Sequence, residues 1–348
     1  MKNKTLCVAA WTMILLTIAT VAFAANPDRV GTAGAQELLI PVGARGIAFG
    51  GSYMVLATGV DALYYNPAGL SLQNNTVEAM VSNMNYIADI GVVYGAVGVK
   101  AGEFGAIGFS VKSIDFGNIP VTTVDFPDGT GANYSPSYIT LGATYSKALT
   151  DRISFGTTVS LVSERILEMS AQGVAFNFGI QYHNLAVQGL DLGVTIKNIG
   201  PSMTFSGSDL LTTATSSTGQ RGSQYYSINA ASFDLPSLME IGVAYTRKFD
   251  EKNQISVGGL FRNNNYLDDE YNFGAEYSFT NTFFVRGGYT FSPQAAKDPT
   301  NTSSYLYDYT VGAGVHYPVG NVDLALDYAF QHLRYFSGNN VIALRVGF

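Results

Sequence analysis

The feature that most constrains this chain is the recurrence of apolar residues at every second position, which begins near residue 76 and continues to the end. Val322, Leu324 and Leu326, for example, alternate with Asp323 and Ala325. Successive side chains of a β-strand point to opposite faces, so each such run has one apolar face and one polar face. An all-β fold is therefore predicted for residues 76–348.

Fourteen runs share this pattern, at 76–87, 90–101, 103–116, 136–148, 152–168, 170–185, 189–199, 236–248, 252–265, 268–279, 281–292, 305–317, 321–333 and 339–348. The connections after even-numbered runs are short, whereas those at 117–135 and 200–235 are long. An even number of strands with tight turns at one end and longer loops at the other is typical of an outer-membrane β-barrel. A soluble β-sandwich also alternates, but it seldom contains fourteen strands. We predict an antiparallel transmembrane β-barrel of about fourteen strands, with the register of the first two left open because they alternate least.

The first 24 residues have the pattern of a cleaved signal peptide. Lys2 and Lys4 precede an apolar run, and Ala22, Phe23 and Ala24 form the cleavage site. The mature chain is expected to start at residue 25. It would then contain no cysteine, because the single cysteine of the sequence lies in the removed piece. The sequence thus predicts export out of the cytoplasm.

The last strand indicates where the exported chain goes. Ile342, Leu344 and Val346 alternate with other residues, and the chain stops on Phe348. This pattern resembles the C-terminal insertion signal of Gram-negative outer-membrane proteins. We therefore expect a bacterial outer-membrane location, with outer-membrane lipid and the barrel-assembly machinery as partners.

The stretch 59–71 does not have the pattern of a strand. Asp61 is expected to cap one helical turn over 62–65, because Asp is a favoured N-cap residue. Pro67 moves Asn66 out of the helical conformation, so the turn should stop there. Gly69 is expected to allow a tight reversal. We predict that residues 25–75 form a luminal plug inside the barrel of residues 76–348.

Charge and residue usage limit the chemistry. The net charge is −7 and no cluster of Lys and Arg is present, which argues against nucleic acid as a partner. The three histidines fall on different predicted strands, so no metal site and no cofactor are expected. Lipid-cleaving barrels need a nucleophile beside a histidine on the lipid-facing side. Because His316 and His332 are predicted to face inward, the protein is not expected to be an enzyme.

Several predicted inward positions are charged, and they include Glu276, Arg286, Asp323, Asp327 and Arg345. Directly opposed residues on neighbouring strands can pair. Glu276 is therefore expected to pair with Arg286, and Asp327 with Arg345. These charges are interpreted as salt bridges that hold the strand register or anchor the plug, with a site for a substrate carboxylate as the alternative.

The mature chain lacks Trp, so tyrosine and phenylalanine must form the aromatic belts at the membrane interfaces. Tyr305, Tyr307 and Tyr309 are predicted for one belt and Tyr317 for the other. A plain preference of tyrosine for strands would give the same pattern.

The N-terminal segment also carries a motif. Ala44, Arg45 and Gly46 are followed by Gly50, Gly51 and Ser52 and then by the stretch Asp61 to Leu70, which contains Asn66, Pro67, Ala68, Gly69 and Leu70. This arrangement resembles the N-terminal region of the FadL-like outer-membrane superfamily, and more narrowly the PorV/PorQ family. The resemblance implies that the segment is a plug or hatch inside the barrel. It also implies that the Asn-Pro-Ala tripeptide belongs to that plug.

The resemblance implies two different activities. One is a channel for passive transport of hydrophobic small molecules, such as fatty acids or aromatic hydrocarbons. The other is a component of the type IX secretion system that binds or shuttles secreted protein cargo. We favour the channel, with the secretion component as the alternative. A purely structural barrel with a permanently closed lumen is a third possibility.

Overall fold

The computed structural model describes residues 29–214, 223–293 and 305–348. These residues form a closed antiparallel barrel of fourteen strands, which confirms the predicted fold class. The predicted signal peptide at 1–24 and the predicted start of the mature chain lie outside the described residues. In that part of the chain which is described, no helix is long and apolar enough to cross a membrane.

The strands lie close to their predicted ranges, because alternation ends where the turn residues begin. In chain order they are β1 (Val77–Asn85), β2 (Gly91–Lys100), β3 (Ala106–Asp115), β4 (Ser137–Ala148), β5 (Ile153–Ile166), β6 (Met169–Tyr182), β7 (Leu190–Ile199), β8 (Leu238–Lys248), β9 (Asn253–Asn264), β10 (Glu270–Phe279), β11 (Phe283–Phe291), β12 (Tyr307–Val319), β13 (Val322–Leu333) and β14 (Asn339–Gly347). Each strand pairs with its neighbours in sequence, and β1 also pairs with β14. This last pairing closes the ring and leaves no free edge.

The two ends of the barrel differ. The connections after even-numbered strands are turns of a few residues, and we call this side the short-turn end. The connections predicted to be long, after β3 and β7, leave the barrel on the other side, the long-loop end. The connection after β7 includes a hairpin formed by Leu211–Ala214 and Gln224–Ser227.

The predicted phase of the strands is observed. On β13, Leu326 is 54% exposed on the outer face, whereas Ala329 on the inner face is fully buried. A local exception occurs in β12, where the register shifts between Tyr307 and Thr310. Such a bulge moves the residues before it to the other face of the sheet. Tyr309 is exposed on the outside. Tyr305 and Tyr307 instead line a cavity inside the barrel, so the prediction that these two residues belong to an aromatic belt is wrong.

Residues 29–75, here called the N-terminal segment, consist largely of short helices and turns. They are α1 (Ala44–Ala48), α2 (Ala62–Tyr65) and 3-10 helices at Gln36–Leu39, Ser52–Val55, Gly59–Asp61 and Pro67–Leu72. Many of their side chains are completely buried, among them Phe49, Met54 and Leu70. Burial of this kind needs a partner surface, which is the inner face of the barrel.

Glycines on the inner face make room for the segment. A Cβ atom added to any of them would lie within 3.0 Å of an atom of the segment, and they are Gly98, Gly108, Gly156, Gly179, Gly193, Gly242, Gly258, Gly274, Gly288 and Gly312. One of them lies on each of β2, β3 and β5 to β12. Because these strands surround most of the ring, the segment lies inside the barrel.

The shared core explains why β1 and β2 alternate weakly in sequence. Their inward residues Met80, Met84, Val92 and Tyr94 are buried in one cluster with apolar residues of the N-terminal segment. A strand whose inner face packs on an apolar partner is apolar on both faces, like a strand of a buried sheet. The weak pattern therefore marks contact with the segment.

Candidate functional site

The candidate site is the lumen, where the N-terminal segment meets the wall. Helix α2 ends at Asn66, whose backbone is extended (φ −156°, ψ 106°) because Pro67 follows it. The side chain of Asn66 accepts a hydrogen bond from the Ala68 backbone N–H and donates to the carbonyl of Ile180 on β6. A Cβ atom at Gly179 would lie 2.0 Å from Asn66 Oδ1, so this wall position must be small. The tripeptide predicted for the plug thus sits directly against the barrel wall.

Polar side chains of the wall satisfy the backbone of the segment. Gln181 on β6 donates hydrogen bonds to the carbonyls of Met54, Val55 and Ala57, at 3.1, 3.2 and 2.9 Å. Ser146 on β4 donates to the carbonyl of Ala68 at 2.7 Å. Short helices leave many carbonyls without intrahelical partners, and buried carbonyls need donors. The wall therefore holds the segment through its backbone as well as its side chains.

Asp61 and Gly69 occupy the predicted stretch but act differently from the prediction. Asp61 has a helical backbone and makes no capping hydrogen bond, so its predicted role as an N-cap is wrong. Its carboxylate instead accepts a hydrogen bond of 2.9 Å from Arg345 on β14. Gly69 lies within the 3-10 helix Pro67–Leu72 and makes no reversal. A Cβ atom there would meet the carbonyl oxygen of Ala57 at 1.9 Å, so glycine is required for close packing within the segment.

Charged groups form a continuous network near the short-turn end. Glu276 and Arg286 lie opposite each other on β10 and β11, as predicted, and Arg286 Nε donates to Glu276 at 2.5 Å. Arg45 of α1 binds the same carboxylate with two nitrogens, at 3.0 and 3.2 Å. Arg286 also donates to Asp327 at 2.6 Å. Fork-like contacts of this kind between Arg and carboxylates are among the stronger polar interactions in proteins.

The predicted pair of Asp327 and Arg345 is not formed. The register between β13 and β14 places Asp327 opposite Ala343, and Arg345 opposite Ala325. The predicted pair assumes that the centre of the β13–β14 turn lies one residue later than it does. That error displaces the expected partner of Asp327 by two residues, from Ala343 to Arg345, so the two charges do not meet. Arg345 pairs with Asp61 of the segment instead, so the network joins the segment to the wall at two separate points.

A polar cavity of about 540 Å³ opens at the short-turn end beside this network. Arg45, Glu276, Arg345 and the exposed carboxylate of Asp323 line it. His316 lies in its wall, 3.6 Å from Asp327, and its ring packs on Phe284 with centroids 4.2 Å apart. Asp323 is therefore at the mouth of the lumen and not in its interior.

A second cavity of about 710 Å³ lies at the long-loop end. The N-terminal segment forms its floor with Ile47, Tyr64 and Tyr65, and further aromatic side chains form its walls, namely Tyr86, Phe116, Tyr138, Phe205, Phe233, Tyr305 and Tyr307. The hydroxyls of Tyr86 and Tyr307 are 2.7 Å apart, which joins β12 to the end of β1. Its size and apolar lining are typical of pockets that bind small molecules.

Four of the charged groups that line this second cavity bind one another. Glu240 contacts Lys197 at 2.8 Å and Arg262 at 2.9 Å. Arg262 also contacts Glu270 at 2.6 Å. Both cations that line the cavity among the described residues are therefore engaged by carboxylates. The cavity therefore offers aromatic surface, and the two cations in its lining are already compensated.

The histidines are placed as follows. His316 faces inward as predicted, but His332 does not, because its ring stacks on the outward-facing Tyr309 at a centroid distance of 4.7 Å. Gln331 and Leu333, on either side of His332, are the buried inner residues of β13. Among the described residues, no group of three or more His, Cys, Asp or Glu side chains could hold a metal ion.

Sequence reasoning did not assign a role to Arg45, Gln181 or the inward glycines. Arg45 is the only charged residue between Glu37 and Asp61, which is a usable signal because a buried charge needs a partner. For the glycines, the signal is one Gly in the inward phase of strand after strand. Phe348 ends the chain beside β1, where its N–H donates to the carbonyl of Val77, and its role as an insertion signal stays a prediction.

Comparison with known proteins identifies the fold. No protein-family model and no curated protein sequence matches the chain. Solved structures match over most of its length. The CymD monoaromatic hydrocarbon channel is 12% identical, with a TM-score of 0.52 over 88% of this chain and 97% of that one. The toluene transporter TbuX of Ralstonia pickettii is also 12% identical, with a TM-score of 0.52 over 88% and 98%.

A FadL homologue of Pseudomonas aeruginosa is 12% identical, with a TM-score of 0.53 over 88% of this chain and 98% of that one. At such low identity these matches concern the fold. The narrower resemblance to the PorV/PorQ family stays a prediction. The chain thus has the barrel fold of FadL-like channels and transporters.

Proposed function

We propose that this protein is a non-enzymatic channel for passive transport of hydrophobic small molecules across the outer membrane of a Gram-negative bacterium. The apolar outer face supports a membrane location, since Leu326, Val285 and Phe273 are about half exposed or more. In outer-membrane barrels the short turns face the periplasm. The long-loop end would then face the outside.

The observation that carries the proposal is the aromatic cavity at the long-loop end. Its volume of about 710 Å³ exceeds that of a single aromatic ring several times, and nine Tyr and Phe side chains contribute to its lining. A solute that enters from the outside would lose its contact with water there, which favours apolar molecules. The fold similarity to a monoaromatic hydrocarbon channel and a toluene transporter supports the same class of solute.

In this proposal the N-terminal segment is the plug. A barrel of fourteen strands is too wide for wall side chains alone to fill, so something else must seal it. The segment does so at the level of the inward glycines, below the aromatic cavity. Asp61, Asn66, Pro67, Ala68 and Gly69 lie in the part of the plug that is bound to the wall. They would control whether a solute passes from the cavity to the short-turn end.

Uptake by intact Gram-negative cells tests the proposal, because lipopolysaccharide retards hydrophobic solutes. Cells that contain the protein should take up labelled toluene faster than cells without it. Ile90→Trp would fill part of the cavity and should slow uptake. Val93→Trp, which places the same side chain on the exposed outer face, is the matched control. Equal uptake with and without the protein would exclude the channel and leave a structural barrel or a secretion component.

A further inference from the structure

Two carboxyl groups meet in the wall of the aromatic cavity. Glu37 belongs to the 3-10 helix Gln36–Leu39 of the plug, and Glu164 projects inward from β5. Both residues line the cavity, and each is only 4% exposed. Buried carboxyl groups are rare unless they have partners. The groups around these two carboxyls therefore show which kind of hydrogen-bond partner is missing.

Hydrogen-bond donors are missing around Glu37. Among the described residues, neither of its buried carboxyl oxygens accepts a hydrogen bond of good geometry. Its own backbone N–H and the carboxyl of Glu164 interact with this carboxyl, and Glu164 also interacts with the backbone of Ala35. The Lys112 ammonium is close, but it donates to the backbone carbonyls of Glu37 and Ile40, at 2.6 and 3.2 Å. A buried acceptor without a donor is unfavourable, so the site is poised for a donor from outside the chain.

The protonation state of Glu37 suits a neutral ligand. Burial, and next the neighbouring Glu164, raise the pKa of Glu37 to about 7. The groups that face it are Glu164 from β5, Lys112 from β3 and Tyr138 from β4. A protonated carboxyl group can both donate and accept a hydrogen bond. A hydroxyl group on a ligand has the same double capacity.

Binding of a carboxylate ligand in this cavity is unfavourable. Lys197 and Arg262, its lining cations within the described chain, are bound to Glu240 and Glu270. An incoming anion would have to displace one of these carboxylates and would also approach Glu37 and Glu164. Like charges in a buried site repel strongly.

We propose that Glu37 and Glu164 form a binding site for the hydroxyl group of a small hydrophobic ligand. The protein then prefers phenols and similar alcohols to hydrocarbons of the same size and to the corresponding carboxylates. This inference rests on the proposed function, because it needs the aromatic cavity to hold the apolar part of the ligand. It adds a residue pair that determines specificity.

The test compares three probes that share a methyl-substituted ring, namely toluene, p-cresol and p-toluate. Their binding to the whole protein in lipid nanodiscs is measured by displacement of a fluorescent apolar probe. Glu37→Leu should lower the ratio of p-cresol affinity to toluene affinity by about tenfold, which corresponds to one hydrogen bond. Asp323→Asn, a carboxylate change at the opposite end of the lumen, should leave the ratio unchanged.

The outcomes separate the inference from the proposed function. If toluene binds but the ratio of p-cresol affinity to toluene affinity is the same in wild type and Glu37→Leu, the hydroxyl site is excluded. The proposed channel function is then not contradicted. Tighter binding of p-toluate than of p-cresol would likewise exclude the site. Binding of neither toluene nor p-cresol would contradict the proposed function itself.

A measurement on the unmodified protein covers the case in which Glu37→Leu does not fold. Infrared difference spectra should show a shift of a protonated carboxyl band when p-cresol is added and no shift when toluene is added. If p-cresol binds without any change in that band, the carboxyl pair does not contact the hydroxyl and the inference is wrong.

Discussion

The two ends of the lumen are lined by opposite ends of the same strands, yet they differ in what fills them. At the short-turn end, Arg45, Arg286 and Arg345 each bind a carboxylate, and two of these contacts fix the N-terminal segment to the wall. At the long-loop end, nine aromatic side chains help to line an open volume of about 710 Å³. Attachment and binding space are therefore separated along the barrel axis.

This difference indicates that the two ends have different roles. Buried ion pairs and backbone hydrogen bonds give directional contacts that hold one arrangement of the segment. Aromatic surface is less directional, so it accepts solutes of varied shape. The end that holds the segment and the end that would receive the solute can then change independently. Four predictions, ordered from the largest expected effect to the smallest, test that separation.

Removal of Arg286 should have the largest effect. Its side chain is fully buried between Glu276 and Asp327, so Arg286→Met leaves Asp327 without its guanidinium partner. Breaking a buried ion pair from one side typically destabilises a protein by about 3–5 kcal/mol. Urea unfolding in detergent micelles should show a loss of that size. Arg165→Met, which removes an exposed 3.8 Å pair with Glu168, should change stability by less than about 1 kcal/mol.

A larger side chain at Gly288 should displace the segment. A Cβ atom there would lie 2.3 Å from the backbone of Gly50, which cannot rotate away. Overpacking of this kind destabilises by about 1–3 kcal/mol, and Gly288→Val should also raise the conductance of single barrels in planar bilayers. Gly287→Val is the control, because a Cβ atom there meets its nearest neighbour only at 3.8 Å. Similar conductance for both variants would argue against the segment as the seal.

Loss of the Asn66 side chain should loosen the seal without preventing assembly. Asn66→Ala removes the acceptor for the Ala68 N–H and the donor to Ile180. Loss of such a cap destabilises by about 0.5–2 kcal/mol, so the barrel should insert normally and leak more. Asn74→Ala, at an exposed position of the same segment, should behave like wild type. A failure to assemble with unchanged conductance per folded barrel would mark the stretch as a folding element.

The smallest effect is expected from pH at the long-loop end. The pKa of Glu37 is raised from 4.5 to about 7, so its stabilising neutral form is complete below pH 4.5 and is lost as the pH rises through 7. Hydrogen exchange of the amides at 36–39, corrected for its intrinsic pH dependence, should be faster at pH 8 than at pH 5. Glu37→Gln should remove this difference. Equal protection of the wild type at both pH values would contradict the assignment.

The barrel itself could be predicted from the sequence with few errors, because period-two alternation reports directly which face of a strand is apolar. The pairing of Glu276 with Arg286 followed from the short turn between their strands. The true partners of Asp327 and Arg345 could not be predicted in this way, because their strands are joined by a five-residue connection. The centre of such a connection is not fixed by the sequence to within one residue, and a one-residue error moves the strand register by two. Tyr307 was misplaced because a bulge leaves no mark in the pattern.

What the sequence determined alone is the all-β barrel with its inner and outer faces, since these depend on local periodicity and on turn residues. The tertiary structure alone decided which wall residues receive the segment. Asp61 and Arg345 are 284 residues apart in the chain, and no local pattern encodes their contact. The same holds for the pairing of Glu37 with Glu164 in the aromatic cavity. Closure of the ring brings such residues together, because it folds the first and last parts of the chain into one lumen.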